Sequence, residues 1–168
     1  MRGPEDLEGL KIRVMNSATA IQMVDTMGGS PTPIAWGELY SALQQGIVDG
    51  AENNLPSFYN NKHYEVCKHL SLNEHSRVPD MLMMSSKVWK KLSPQQRDWV
   101  QQAANDSSAF QRDLWRKEEQ ATRDLAKAEG VTIYEVELAA FAEKVEPMLQ
   151  SVKNAEVRAL LEEIRSVN

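Results

Sequence analysis

The stretch that most constrains this chain runs "SPQQRDWVQQAANDSSAFQRDLWRKEEQATRDLAKA", from Ser93 to Ala128. It opens with a helix-start signature. Ser93 can cap, Pro94 takes the first helical position, and Gln96 sits where a capping box wants it. No further Pro and no Gly follow until Gly130. The spacing predicts one helix of about 35 residues, roughly 50 Å at 1.5 Å per residue. Trp99, Ala103, Phe110, Leu114, Leu125 and Ala128 supply its apolar stripe. No single small domain covers a helix that long, so it protrudes, spans two domains, or packs on another copy of the chain.

Upstream of it the periodicity changes. In "LKIRVMNSATA", Leu10, Ile12 and Val14 alternate with Lys11, Arg13 and Met15, which reads as a half-buried strand over 10–15. On that reading Arg13 points away from the apolar face. Ser17 can cap a helix running to about Met27, which Gly28-Gly29 stop. "SPTPIA" follows as an extended segment whose two prolines forbid a central strand. Trp36, Leu39, Tyr40, Leu43 and Ile47 have the spacing of a short amphipathic helix closed by Gly46. "IVDGAEN" reads as a short strand with an Asp49-Gly50 turn. A helical piece is expected around 56–66, an extended segment at 68–74, and another at "DMLMMSS" after Pro79. Past Gly130, "VTIYEV" reads as a strand, and helices over about 137–153 and 155–166 close the chain. The order is that of a mixed α/β protein.

Composition narrows the function classes. Apolar residues make up 42% and charged residues 26% of 168, enough to bury a core. No apolar run approaches the 18 residues a membrane helix needs. "MRGPEDLEGLK" has no apolar stretch of the signal-peptide kind. Net charge is −5 and the densest basic cluster is the short "KVWKK", so nucleic acid is not an expected partner.

No catalytic constellation emerges. His63, His69 and His75 are spaced by six with Cys67 among them, and only His63–Cys67 has i, i+4 spacing, so no metal or other cofactor is expected. Cys67 lies in the alternating context "YEVCKHL" and reads as packing. GxSxG, GxGxxG and P-loop signatures are missing from the sequence. Trp36, at a helix head, reads either as a core anchor or as a flat wall beside a bound anion. Arg13 also has two readings. In open α/β sheets ligands gather beyond the carboxyl ends of strands. Arg13, Asn16 and the helix start at Ser17 put a guanidinium, an amide and free N–H groups at one such end, all suited to a carboxylate. The competing reading is a surface ion pair of little energetic value.

Beyond these local readings, "DLEGLKIRV", "GGSPTPIAWGELYSALQQGIVDGAEN", "HYEVCKHLSL", "SPQQRDWVQQAA" and "EGVTIYEV" stand in register over nearly the whole chain. Together they resemble the second half of a TRAP-transporter solute-binding protein of the DctP type. The resemblance implies half of a two-domain periplasmic-binding-protein-like α/β fold with a long domain-spanning helix. It divides the chain into part of a ligand-binding domain at 1–90, the connecting helix at 91–129, and a strand and helices returning to the cleft at 130–168. It implies a periplasmic, non-enzymatic protein that binds a small organic acid and hands it to a TRAP membrane permease driven by a sodium gradient.

By the same resemblance Arg13 clamps the ligand carboxylate and Asn16 is a polar contact. Trp36 lines the pocket, Asn53 reaches the ligand beside Glu52, and His75 is a pocket-side histidine with Arg77 near it. The segment from "VDGAEN" to "HSRVPD" is similar to members that take hexuronates, with a sialic acid or a smaller hydroxy or keto acid as alternatives. The chain matches only the family's second half. A fragment of that kind exposes apolar surface and is expected to form a homodimer or exchange its long helix. The other readings are a non-binding structural or oligomerising fragment and, last, an enzyme.

Overall fold

The computed structural model describes residues 1–167. A single turn of 3₁₀ helix, Pro4–Leu7, leads into β1, Lys11–Val14. Helix α1, Ala18–Met27, follows, capped by the Ser17 hydroxyl and ended by Gly28 in the left-handed region at φ 102°. Then come β2, Ser30–Pro33, a 3₁₀ turn at Trp36–Glu38, α2, Leu39–Gln44, and β3, Gly50–Ala51. Helix α3, Leu55–Asn60, and a 3₁₀ turn at His63–Glu65 lead to β4, His69–Leu72. A short helix α4, Ser86–Trp89, precedes α5, Pro94–Ala128. Strand β5, Thr132–Glu135, and helices α6, Leu138–Gln150, and α7, Ala155–Ser166, complete the chain.

The strands form two small parallel sheets, β2-β1-β3 and β4-β5. The prolines of β2 are accommodated because that strand is an edge. Its neighbours Ser30 and Ile34 donate to Leu10 and Val14 of the β1 segment, at 2.8 and 3.3 Å. Pro31 and Pro33, which have no N–H, therefore occupy the alternate positions that face outward.

Strand β1 departs from the half-buried expectation. Ile12, Arg13 and Val14 are all buried, and Leu10 lies outside the strand and exposed. The reason is topological: a central parallel strand is covered on both faces, which alternation alone does not reveal. Val14, Ile12, Leu7, Val24, Met27 and Phe141 form one core, with α6 laid against α1. Phe58, Ala126 and Val131 form a second core under β4-β5, where α3 meets the far end of α5.

Three further expectations change. The helix expected from Trp36 breaks into a 3₁₀ turn and a two-turn α2, and Ile47 lies beyond it, exposed. Asp49-Gly50 is no turn: the Asp49 carboxylate accepts from Lys11 N–H at 2.8 Å and its own N–H donates to Lys11 O, so the chain is already paired when Gly50 enters β3. "DMLMMSS" forms no strand, and Met81, Leu82 and Met83 are exposed. The long helix is as expected, its capping box closed by Ser93 Oγ accepting from Gln96 N–H and Gln96 Oε1 from Ser93 N–H. Its apolar stripe is not covered, however. Trp99, Phe110 and Leu114 are exposed, and within the helix burial is confined to Thr122 and Ala126.

Candidate functional site

The parallel register brings the carboxyl ends of β1, β2 and β3 to one edge. Arg13 stands opposite Thr32 on one side and Ala51 on the other. Beyond those ends lie Asn16 after β1, Trp36 after β2, and Glu52 and Asn53 after β3. The N-terminus of α1 opens at the same edge, because Ser17 follows β1 directly. Such an edge is where open α/β sheets collect ligands.

Arg13 is 5% exposed. Its Nε–H donates to the carbonyl of Ile34 at 2.9 Å, which fixes the guanidinium plane. No carboxylate pairs with it among the described residues. Every fully buried side-chain nitrogen or oxygen there has a hydrogen-bond partner. Among the described residues the terminal nitrogens of Arg13 have none, so they are atoms that solvent still reaches. The surface ion-pair reading therefore does not describe this arginine.

The guanidinium carbon lies 5.6 Å from the centre of the Trp36 ring. Trp36 is 44% exposed, so it is not a core anchor. His63, buried, also packs on the indole, its ring centre 5.3 Å from that of Trp36 and tilted 70°. Burial, reinforced by the Arg13 charge, pushes the His63 pKa below the usual histidine value. The imidazole is thus held toward its neutral form beside a cation. Arg13 and Trp36 were both legible as candidates in the sequence, whereas His63 was considered there only for metal binding. Nothing in its spacing signals the contact, which depends on the turn at 63–65 folding back onto the turn at 36–38.

Glu52 and His75 meet, with 3.3 Å between the carboxylate and Nε2, and His75 Nδ1 lies 2.7 Å from Asn73 Oδ1. This contact bridges the loops after β3 and β4. Asn53 is half-buried and its side-chain oxygen accepts from Asn54 N–H. Asn16 is exposed and makes no side-chain hydrogen bond among the described residues. Arg77 stands apart, with its side chain 84% exposed and paired with Glu74 at 2.5 Å. Cys67 is partly buried, and burial pushes its thiol pKa up, which suits packing.

A buried guanidinium without an ion-pair partner among the described residues and with an indole beside it can grip a planar carboxylate and lay a sugar ring against an aromatic face. No described helix is long and apolar enough to cross a membrane.

The model for "Bacterial extracellular solute-binding protein, family 7" (DctP) matches residues 1–155. A solute-binding protein of Chromohalobacter salexigens is 41% identical over 165 residues, covering 96% of this chain and 49% of that protein. The chain thus spans about half the length of the curated relatives it matches. A TRAP periplasmic solute-binding protein from Chromohalobacter salexigens, solved with bound d-glucuronate, superposes with a TM-score of 0.96 at 39% identity. The superposition covers 100% of this chain and 57% of that one. A Xanthobacter autotrophicus counterpart with bound β-d-galacturonate gives 0.92 at 35% identity, over 99% of this chain and 56% of the other. This chain belongs to the DctP family of bacterial extracellular solute-binding proteins, a family that carries solutes and does not transform them.

Proposed function

We propose that this chain is the carboxylate-gripping half of a TRAP solute-binding protein for hexuronates such as d-glucuronate or d-galacturonate. In that role it works in the periplasm, without a cofactor, and presents its ligand to TRAP permease subunits for sodium-coupled uptake. The single observation that carries the reading is Arg13: buried, oriented through Nε, and left with open terminal nitrogens at the strand ends. Arg13 takes the carboxylate as a fork, and Trp36 gives the sugar ring a flat face. Asn16, Asn53 and Glu52 meet hydroxyls, with His75 holding Glu52. Arg77 supplies positive charge nearby once its pair with Glu74 opens. Relatives that bind both hexuronates and share the fold support the ligand class.

Titration calorimetry tests it, using this chain joined to the remaining half of a relative. Binding of d-glucuronate, with none of d-glucose, is the expected outcome, because the two differ at the carboxylate. Equal affinity for both sugars would remove Arg13 from the site. No binding of any acid would favour a structural, oligomerising fragment.

A further inference from the structure

After α3 the backbone takes a strained step. Lys62 has φ 61°, in the left-handed region that residues with a Cβ rarely occupy. Its N–H donates to the Tyr59 carbonyl at 2.9 Å, and the residue that follows, His63, turns inward. His63 is buried between an exposed Lys62 and a half-buried Tyr64. Two ties keep the turn in place. The His63 carbonyl accepts from Cys67 N–H at 2.9 Å, and the Glu65 carboxylate accepts from the Tyr40 hydroxyl of α2 at 2.8 Å. Backbone strain persists where the surroundings over-determine it, and it gathers at functional sites. What this step delivers is one imidazole against Trp36.

Trp36 needs such a neighbour. Arg13 is oriented by its Nε–H on the Ile34 carbonyl, but the indole N–H has no hydrogen-bond partner among the described residues. The 3₁₀ turn that carries Trp36 has no side-chain cap either. Two groups border the ring: the Arg13 guanidinium at 5.6 Å and the His63 ring at 5.3 Å, the latter in a T-shaped contact. Edge-to-face ring pairs are favourable beyond the area they bury. Ordering a loose aromatic side chain only when ligand arrives costs affinity that a pre-set ring keeps. Arg13 is engaged with the carboxylate in the bound state, which leaves His63 to hold the indole. Burial and the Arg13 charge keep the imidazole toward its neutral form, so it adds no second cation there.

We propose that His63 is a positioning residue of the sugar-acid site, its buried ring fixing the Trp36 indole in the orientation that receives the pyranose. His63 itself touches no ligand and acts through Trp36. The role rests on the hexuronate reading for its ligand, whereas the ring contact does not.

Two variants and two readouts test it. His63→Leu keeps an apolar side chain in place of the ring, and His63→Phe restores a ring. Without ligand, nitrogen-15 relaxation of the indole N–H groups reports ring order in this chain, with Trp36→Phe assigning the signal. In His63→Leu the Trp36 indole should become more mobile while Trp89, Trp99 and Trp115 stay as they are, and His63→Phe should restore its order. In the two-half protein, His63→Leu should weaken d-glucuronate binding about 3- to 10-fold. His63→Phe should recover most of that loss. In a Trp36→Ala background His63→Leu should change affinity by less than about 2-fold, because its route of action is gone. An equally ordered Trp36 indole in His63→Leu, a Phe variant as weak as the Leu variant, or an undiminished loss in the Trp36→Ala background would overturn the proposal. If the parent binds no hexuronate, the sugar-acid reading fails by itself, and the relaxation measurement still decides whether His63 sets the indole.

Discussion

The guanidinium of Arg13 faces the Trp36 indole at 5.6 Å, and Trp36 in turn meets the His63 ring in a T-shaped contact at 5.3 Å. A buried cation is tolerable when its charge is spread over an aromatic face and its donors are partly used. Removing it should be costly to binding. Arg13→Ala is expected to lower glucuronate affinity by about 2–5 kcal/mol. Arg13→Lys should recover only part, because an ammonium cannot make the paired contact. Trp36→Ala should cost about 0.5–2 kcal/mol. Calorimetry on the two-half protein reads all three, and an Arg13→Lys variant as good as the parent would refute the fork.

Acid should weaken the fold through His63. Its folded pKa lies below the ordinary histidine value of about 6.5, through burial first and Arg13 second. The unfolded chain then binds a proton at a pH where the folded chain does not. The stability due to neutral His63 is fully present above about pH 6.5 and is lost as pH falls through the folded pKa. Urea midpoints at pH 7.5 and pH 5 should differ more in the parent than in His63→Phe, which keeps the ring contact without the titration. Equal differences would show that His63 does not titrate in this way.

Phe141 is 3% exposed and ties α6 to the β1–α1 core. Phe141→Ala should destabilise the chain by about 3–5 kcal/mol, through lost burial and the cavity left behind. Chemical denaturation followed by circular dichroism measures it. A loss under 1 kcal/mol would mean that α6 is held by other contacts.

The exposed apolar surface predicts self-association of the isolated chain. A groove of about 630 Å³ opens between 82–89 and α5, lined by Met83, Met84, Trp89 and Val100 among others. Trp99, Phe110 and Leu114 continue the apolar surface along α5. Uncovered patches of this kind drive association. We expect a homodimer in light scattering, weakened at least ~10-fold by Met83→Lys with Phe110→Lys, since each places a charge where apolar contact forms. A monodisperse monomer at high concentration would exclude the dimer and the helix exchange.

Much of the secondary structure could be read locally. Ser17 and Ser93 announce helices because their side chains satisfy N–H groups of the first turn, whatever the rest of the chain does. Gly28 announces a stop because the left-handed backbone there disfavours other residues. The long α5 follows from the missing Pro and Gly. The candidate site was half legible. Arg13 and Trp36 stood out by position and type, but the Ile34 carbonyl that orients the guanidinium carries no side-chain signal. His63 could not be paired with Trp36 by spacing, since 27 positions separate them in the sequence.

By itself, then, the sequence determined where helices begin and end, that Pro31 and Pro33 keep β2 at an edge, and that a cation stands near the end of β1. Tertiary structure decided that β1 is central and buried on both faces, so that Arg13 is enclosed. It also decided that α5 leaves its apolar stripe in solvent. The physical reason is that capping and backbone preference act within a few residues. Burial and pairing depend on which distant segments arrive alongside, and no local pattern encodes that.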